Sequence, residues 1–276
     1  MDSVSNSQSI FDENGRRIPF PGMRVFNEVS SQYYKIKQPS IDFSKILLNS
    51  QIFSGVDPDI SVYIFQSSCI KLKREMMEND VLKNLFKGIH VPFICPKSSS
   101  EEDIGKELED ISLPAVAASF GASYPDLHFK SALQGEGTLA NKVNTRPGAR
   151  YEDFIKLRKD RTIVGWYFPQ ALQEYDIDSQ SAQMETIPCY SGLVLSGGFD
   201  TAAVFVGSPG LLINKDDYPP VLCISGLMHN DSNLMLCFKA YGHHLEFWGM
   251  SQMLTPGLTQ VSEQWSGGLT LFGAID

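Results

Sequence analysis

The sequence predicts an α+β protein: a mostly antiparallel β-sheet formed by the C-terminal part, with three or so helices from residues 75–160 packed on one of its faces. Two observations lead there. Helical spacing of apolar residues concentrates between residues 75 and 160, and after Arg161 it gives way to short apolar runs separated by Gly, Pro, Asn and Asp. The segments expected are an arm (1–22), a mixed helix and strand region (23–160) and a β-rich region (161–276). With no low-complexity linker near residue 160, one body is favoured over two.

Residues 1–22 mix Ser, Asn and Gln with two prolines and read as a mobile arm that docks through Ile18 and Phe20. Ser61-Val62-Tyr63-Ile64-Phe65 is aromatic and β-branched, which predicts a strand. Met77, Val81 and Leu85 recur at four-residue steps with Leu82 and Phe86 beside them, so a helix should run from near Glu75 to a left-handed cap at Gly88. His90–Cys95 reads as a strand at a sheet edge, because Pro92 cannot donate to a ladder. Ser100 is a candidate N-cap, followed by Glu101, Glu102 and Asp103, for a helix that Leu113-Pro114 should stop. A third helix begins near Tyr151, with acids first and bases last.

The strands expected after Arg161 are Thr162–Phe168, Gly192–Leu195, Thr201–Val206, Val221–Leu227, Leu234–Tyr241, His244–Trp248 and Leu269–Phe272. One pairing can be specified. Burying Leu222 and Ile224 together with Leu236 and Phe238 sets Leu222 opposite Phe238 and forces Cys223 opposite Cys237 on the other face, unless a one-residue slip or a bulge intervenes.

With 276 residues, 42% of them apolar and 20% charged, the chain has the composition of a soluble globular protein. The net charge of −9 is uneven. Residues 1–165 hold 21 basic and 21 acidic side chains, and residues 166–276 hold 2 and 11, so the second part alone carries 2 − 11 = −9. A surface this acidic repels polyanions, which argues against nucleic acid as a partner there. An odd cysteine count of five predicts reduced thiols, and Met1–Ser9 has neither the basic start nor the apolar stretch of a secretory signal. Arg16-Arg17 precedes Ile18-Pro19-Phe20-Pro21-Gly22 and reads as a turn rather than an export signal. No apolar run approaches the roughly 20 residues of a membrane span, and a cytoplasmic location is expected.

Few side-chain patterns point to chemistry. Cys189, in Pro188-Cys189-Tyr190-Ser191-Gly192, is the best nucleophile candidate if His243 or His244 approaches it, although a small buried hydrophobe in a turn explains it as well. Cys223-x5-His229 and Cys237-x5-His243 mimic zinc spacing, but six residues of strand span about 20 Å, so no metal site is expected. Asp176-x-Asp178 lacks the glycine and glutamate of a calcium loop, and no convincing strand precedes Gly135-Glu136-Gly137. Residues 142–161 carry seven bases against three acids, a local 7 − 3 = +4. Within them Arg146, Arg150, Arg158 and Arg161 are the candidate binding residues for an acidic surface, from another chain or from residues 166–276. Aromatics of the β-rich region, Tyr218 among them, could form a sugar platform or a protein interface.

Together these patterns predict a non-enzymatic interaction or adaptor protein, without cofactor, that joins a larger complex through segment 142–161 or the N-terminal arm. The alternatives are a hydrolase using Cys189 with His243 or His244, and a small-ligand or carbohydrate-binding β domain.

Overall fold

Residues Ile163–Gln173 form one strand with ten of eleven positions buried, so it shows none of the alternation of a half-exposed strand. It runs through the middle of the fold. The computed structural model describes residues 9–98, 103–131, 139–190, 192–214, 216–241, 244–255 and 258–275. In chain order, α1 (Phe43–Ser54), α2 (Val62–Met77) and a 3-10 turn (Lys83–Lys87) precede β1 (Val91–Cys95). The short α3 (Ile104–Glu107) continues through a π-helical turn (Leu108–Ser112) into α4 (Leu113–Ser123). There follow β2 (Phe129–Ser131), β3 (Val143–Thr145), α5 (Tyr151–Asp160), β4 (Ile163–Gln173), α6 (Ile177–Thr186), β5 (Leu193–Leu195) and α7 (Gly198–Gly207). The chain ends with β6 (Val221–Cys223), β7 (Leu227–His229), β8 (Leu234–Tyr241), β9 (His244–Ser251), β10 (Met253–Thr255), β11 (Leu258–Thr259) and β12 (Trp265–Ala274).

The main sheet has the order β1-β4-β12-β6-β8-β9-β2, with β5 also paired to β12, and only β12–β6 and β9–β2 are parallel. The protein is thus α+β with a large, mostly antiparallel sheet. Strand β1 lies at the edge, as Pro92 requires. Pro169 is tolerated inside β4 because β1 stops pairing at Tyr167 and the ladder to β12 shifts register between Gly267 and Leu269. Leu222 pairs with Phe238 and Cys223 with Cys237, the register expected from burial alone. The strand expected over Val221–Leu227 breaks at Ile224, and β7 leaves the sheet to pair with β3.

Helices lie on both faces of the sheet, not on one. Trp166 and Phe168 of β4 meet α2 and the 3-10 turn through Phe86, while Cys223, Cys237 and Trp265 pack beneath Ile177 of α6. On the opposite face Phe272 meets Phe154 of α5, and Phe238 meets Phe205 of α7. One apolar cluster runs from Phe11 to Phe272, drawing on residues from both sides of position 160.

Four sequence expectations are overturned for identifiable reasons. Residues Ser61–Phe65 are not a strand. Ser61 Oγ caps α2 by accepting from the Ile64 N–H, and Phe65, Cys69 and Met76 form its buried stripe, so packing overrides the β-propensity of the first turn. The helix expected from Glu75 to Gly88 ends at Met77, and Gly88 is extended. Its glycine is required by close approach instead, since a Cβ there would lie 2.6 Å from Asn14 O. Leu113-Pro114 does not stop the helix that Asp103 caps, because the π-helical turn just ahead of Pro114 absorbs the missing N–H. Ser100, Glu101 and Glu102 lie outside the described residues. Finally, Thr201–Val206 belongs to α7, all ten residues of which are buried, so no amphipathic period exists to be read.

The arm is also anchored differently. Ile18 is exposed, while Phe11 is buried, the Ile10 N–H donates to Val81 O at 3.0 Å and the Arg17 N–H to Ala171 O at 2.8 Å. Arg16 is buried and donates to Gln173 O, Glu28 O and Asn27 O, with Glu174 at 3.6 Å. Residues 9–17 are thereby integrated into the core, and residues 1–8 lie outside the described part.

Candidate functional site

Cys189 is exposed and borders a groove with Arg150, Lys156, Asp153, Asp160 and Tyr190. The groove brings together the candidate nucleophile and one arginine of the basic segment. Among the described residues it holds no imidazole. His244 begins β9, three strands from β12 and roughly ten residues along the ladder from Phe272, which lines the Cys189 groove. At about 4.8 Å per strand and about 3.3 Å per residue, the separation is on the order of 30 Å. His244 instead stacks on His128 at 5.2 Å. His243 lies outside the described residues but is joined to His244 by one peptide bond. At that separation His244 cannot act as the base for Cys189.

The arginines of the basic segment are mostly internal cross-links. Arg158 is buried, forms a two-pronged pair with Glu107 at 2.8 and 3.1 Å, donates to Pro96 O and covers the Phe199 ring at 4.1 Å. Arg146 donates to Ser225 O, and burial lowers its pKa. Arg150 holds the end of α6 through Met184 O and Ile187 O at 2.5 and 2.8 Å. Arg161 is exposed. Four of the cations that meet the acidic C-terminal part come from residues 16–37: Arg16 faces Glu174, Arg24 faces Asp176 at 3.1 Å, Lys35 faces Asp217 at 3.1 Å and Lys37 faces Asp216 at 2.6 Å.

That N-terminal segment builds the cleft with the clearest recognition chemistry. Residues Tyr33 and Tyr218 stack with centroids 5.6 Å apart and planes 18° apart, and Tyr34 meets Tyr33 edge-on at 5.0 Å. Both stacked rings stay more than half exposed, at 54% and 64%. The backbone beneath them is fixed: the Lys35 N–H donates to Tyr218 O at 3.0 Å, the Ile36 N–H to Gln170 Oε1 at 2.9 Å, and Gln170 Nε2 to Tyr34 O at 3.2 Å. Ser31, Lys35, Asp216, Asp217 and Glu263 complete the walls of a cleft of 530 Å³, within the usual size of ligand sites. Lys35 holds the Asp217 carboxyl below its usual range. Glu263 accepts from Ser31 Oγ and has no cationic partner among the described residues. Gln32, at the cleft's lip, has φ of 56°, a left-handed conformation that is uncommon outside glycine.

Sequence reasoning named Tyr218 only as one aromatic among many. The missed signal was the adjacent pair Tyr33-Tyr34 inside an otherwise polar segment. Among the described residues no group of His, Cys, Asp and Glu is arranged to hold a metal ion, and Cys223 and Cys237, drawn into the zinc-like spacing, are buried in the apolar cluster beneath α6. No helix among these residues is long and apolar enough to cross a membrane. No family model, no curated protein and no solved structure matches the chain.

Proposed function

We propose that this chain is a non-catalytic protein-interaction module that receives a basic side chain of a partner protein in the tyrosine cleft. The observation that carries the reading is the exposed Tyr33–Tyr218 stack beside Asp216, Asp217 and Glu263. Aromatic faces attract cations through the ring quadrupole, and a planar guanidinium can stack on a tyrosine while donating to a carboxylate. Among the described residues, three carboxylates stand against the ammonium groups of Lys35 and Lys37. The rings are pre-positioned by backbone hydrogen bonds, so little ordering cost falls on binding. Titrating short arginine-bearing peptides into labelled protein should move the amide resonances of residues 31–35, 216–218 and 263. Shifts produced by neutral oligosaccharides and not by these peptides would favour the carbohydrate reading instead.

A further inference from the structure

Cys223 and Cys237 are set side by side by the sheet. They are directly opposed on β6 and β8, both side chains lie in the apolar cluster beneath α6, and both are free thiols. The other three cysteines are elsewhere: Cys95 on β1, three places from β6 in the sheet, Cys69 on α2, and Cys189 in its exposed groove.

The ladder fixes what kind of pair this is. The Ile224 N–H donates to Leu236 O at 2.9 Å, and these two are the next opposed residues beyond the cysteines. Opposed residues in an antiparallel ladder alternate between hydrogen-bonded and non-hydrogen-bonded pairs. Cys223 and Cys237 therefore occupy a non-hydrogen-bonded position, where Cα atoms approach to about 4.5 Å and side chains stand closest. That spacing lies within the range of about 4.4–6.8 Å that a disulfide spans.

Access decides when such a bond can form. The two residues are 1% and 0% exposed, and burial pushes the Cys223 thiol up to about 12 and the Cys237 thiol well above its ordinary range. Thiols so placed supply almost no thiolate and meet no reagent, whereas in the unfolded chain both are in water.

We infer that Cys223 and Cys237 are a site of cross-strand disulfide formation whose state is set while the chain folds, a small disulfide such as oxidised glutathione being the oxidant. One cysteine thiolate attacks the small disulfide, forming a mixed disulfide and releasing one small thiolate. The second cysteine thiolate attacks the cysteine sulfur of that mixed disulfide and expels the other small thiolate. The two cysteines give up two electrons and two protons, and the small disulfide leaves as two thiols. Closure of the cluster under α6 then preserves whichever form has been made. The site does not depend on the tyrosine cleft.

Refolding tests it. The full chain, reduced and unfolded in urea, is dialysed slowly into a mixture of reduced and oxidised glutathione, and folded reduced protein is held in the same mixture. The refolded protein should lose two hydrogens in mass and, after acid quenching and digestion, yield peptides joined through Cys223 and Cys237. The folded protein should acquire that bond at least about a hundredfold more slowly. The oxidised protein should unfold at higher urea than the reduced protein, because the bond removes freedom from the unfolded chain, and Cys223→Ala should lose both the bond and the shift. Refolding that leaves both thiols free, links either of them to Cys69, Cys95 or Cys189, or stops at a glutathione adduct would overturn the site. So would a Cys223–Cys237 bond that lowers the urea midpoint. Oxidation of the folded protein as fast as the refolding chain would overturn the claim that folding sets the state.

Discussion

Asp200 carries a fully buried carboxyl group. It accepts from Tyr151 Oη at 2.9 Å, from the Gly197 N–H at 2.9 Å and from Thr270 Oγ1, yet burial still pushes its pKa up to about 6. A folded pKa above the ordinary 3.8 means that the folded state holds the proton more tightly. Its contribution to stability is therefore full below about pH 4 and is lost as pH rises through about 6, a change of about 3 kcal/mol. Asp200→Asn can keep the acceptor for Tyr151 and Gly197 while donating to Thr270. Urea unfolding should show the variant gaining on wild type by that amount between pH 4 and pH 7, and a pH-independent difference would contradict the assignment. Arg158 makes the complementary case. Arg158→Met removes the charge partner of buried Glu107 and should cost about 3–5 kcal/mol, with the Glu107→Leu, Arg158→Met double variant less destabilised than the single. Arg161→Glu, at an exposed site, should change stability by no more than about 0.5 kcal/mol. Sequence alone counts all these arginines as one basic patch. Only the fold separates those that point inward.

The legible elements were those with one wet face. Helix α5 showed its stripe and its charge gradient, and β9 showed its alternation. Helix α7 was unreadable because every side is covered, and α2 was misread because its first turn is β-branched and aromatic while its wet face carries Tyr63, Ile70 and Met77. Two glycines test this account of packing. At Gly197 an added Cβ would lie 2.1 Å from the Tyr151 ring, so Gly197→Ala should be destabilising by at least about 2 kcal/mol. Gly121, inside α4, has open space around it, and Gly121→Ala should stabilise by about 0.5–1 kcal/mol through helix propensity. Thermal unfolding of the pair checks both signs.

Across the whole molecule, the charge asymmetry was visible in the sequence, but its resolution was not. The acidic C-terminal part is met by Arg16, Arg24, Lys35 and Lys37, more than a hundred residues away in the chain, and no local pattern announces pairings of that separation. Deleting residues 1–22 should therefore lower stability by several kcal/mol, because Phe11 and Arg16 leave the core with it. The same N-terminal segment carries Tyr33 to Tyr218, so the recognition cleft exists only when both ends of the chain fold together. Calorimetric titration with one peptide in two forms, its arginine intact or replaced by the neutral isostere citrulline, tests that cleft most directly. The arginine form should bind at least about tenfold more tightly, and Tyr218→Ala should shrink the difference severalfold without unfolding the protein. Equal binding of both forms, or an arginine preference undiminished by Tyr218→Ala, would contradict cation recognition on the tyrosine stack.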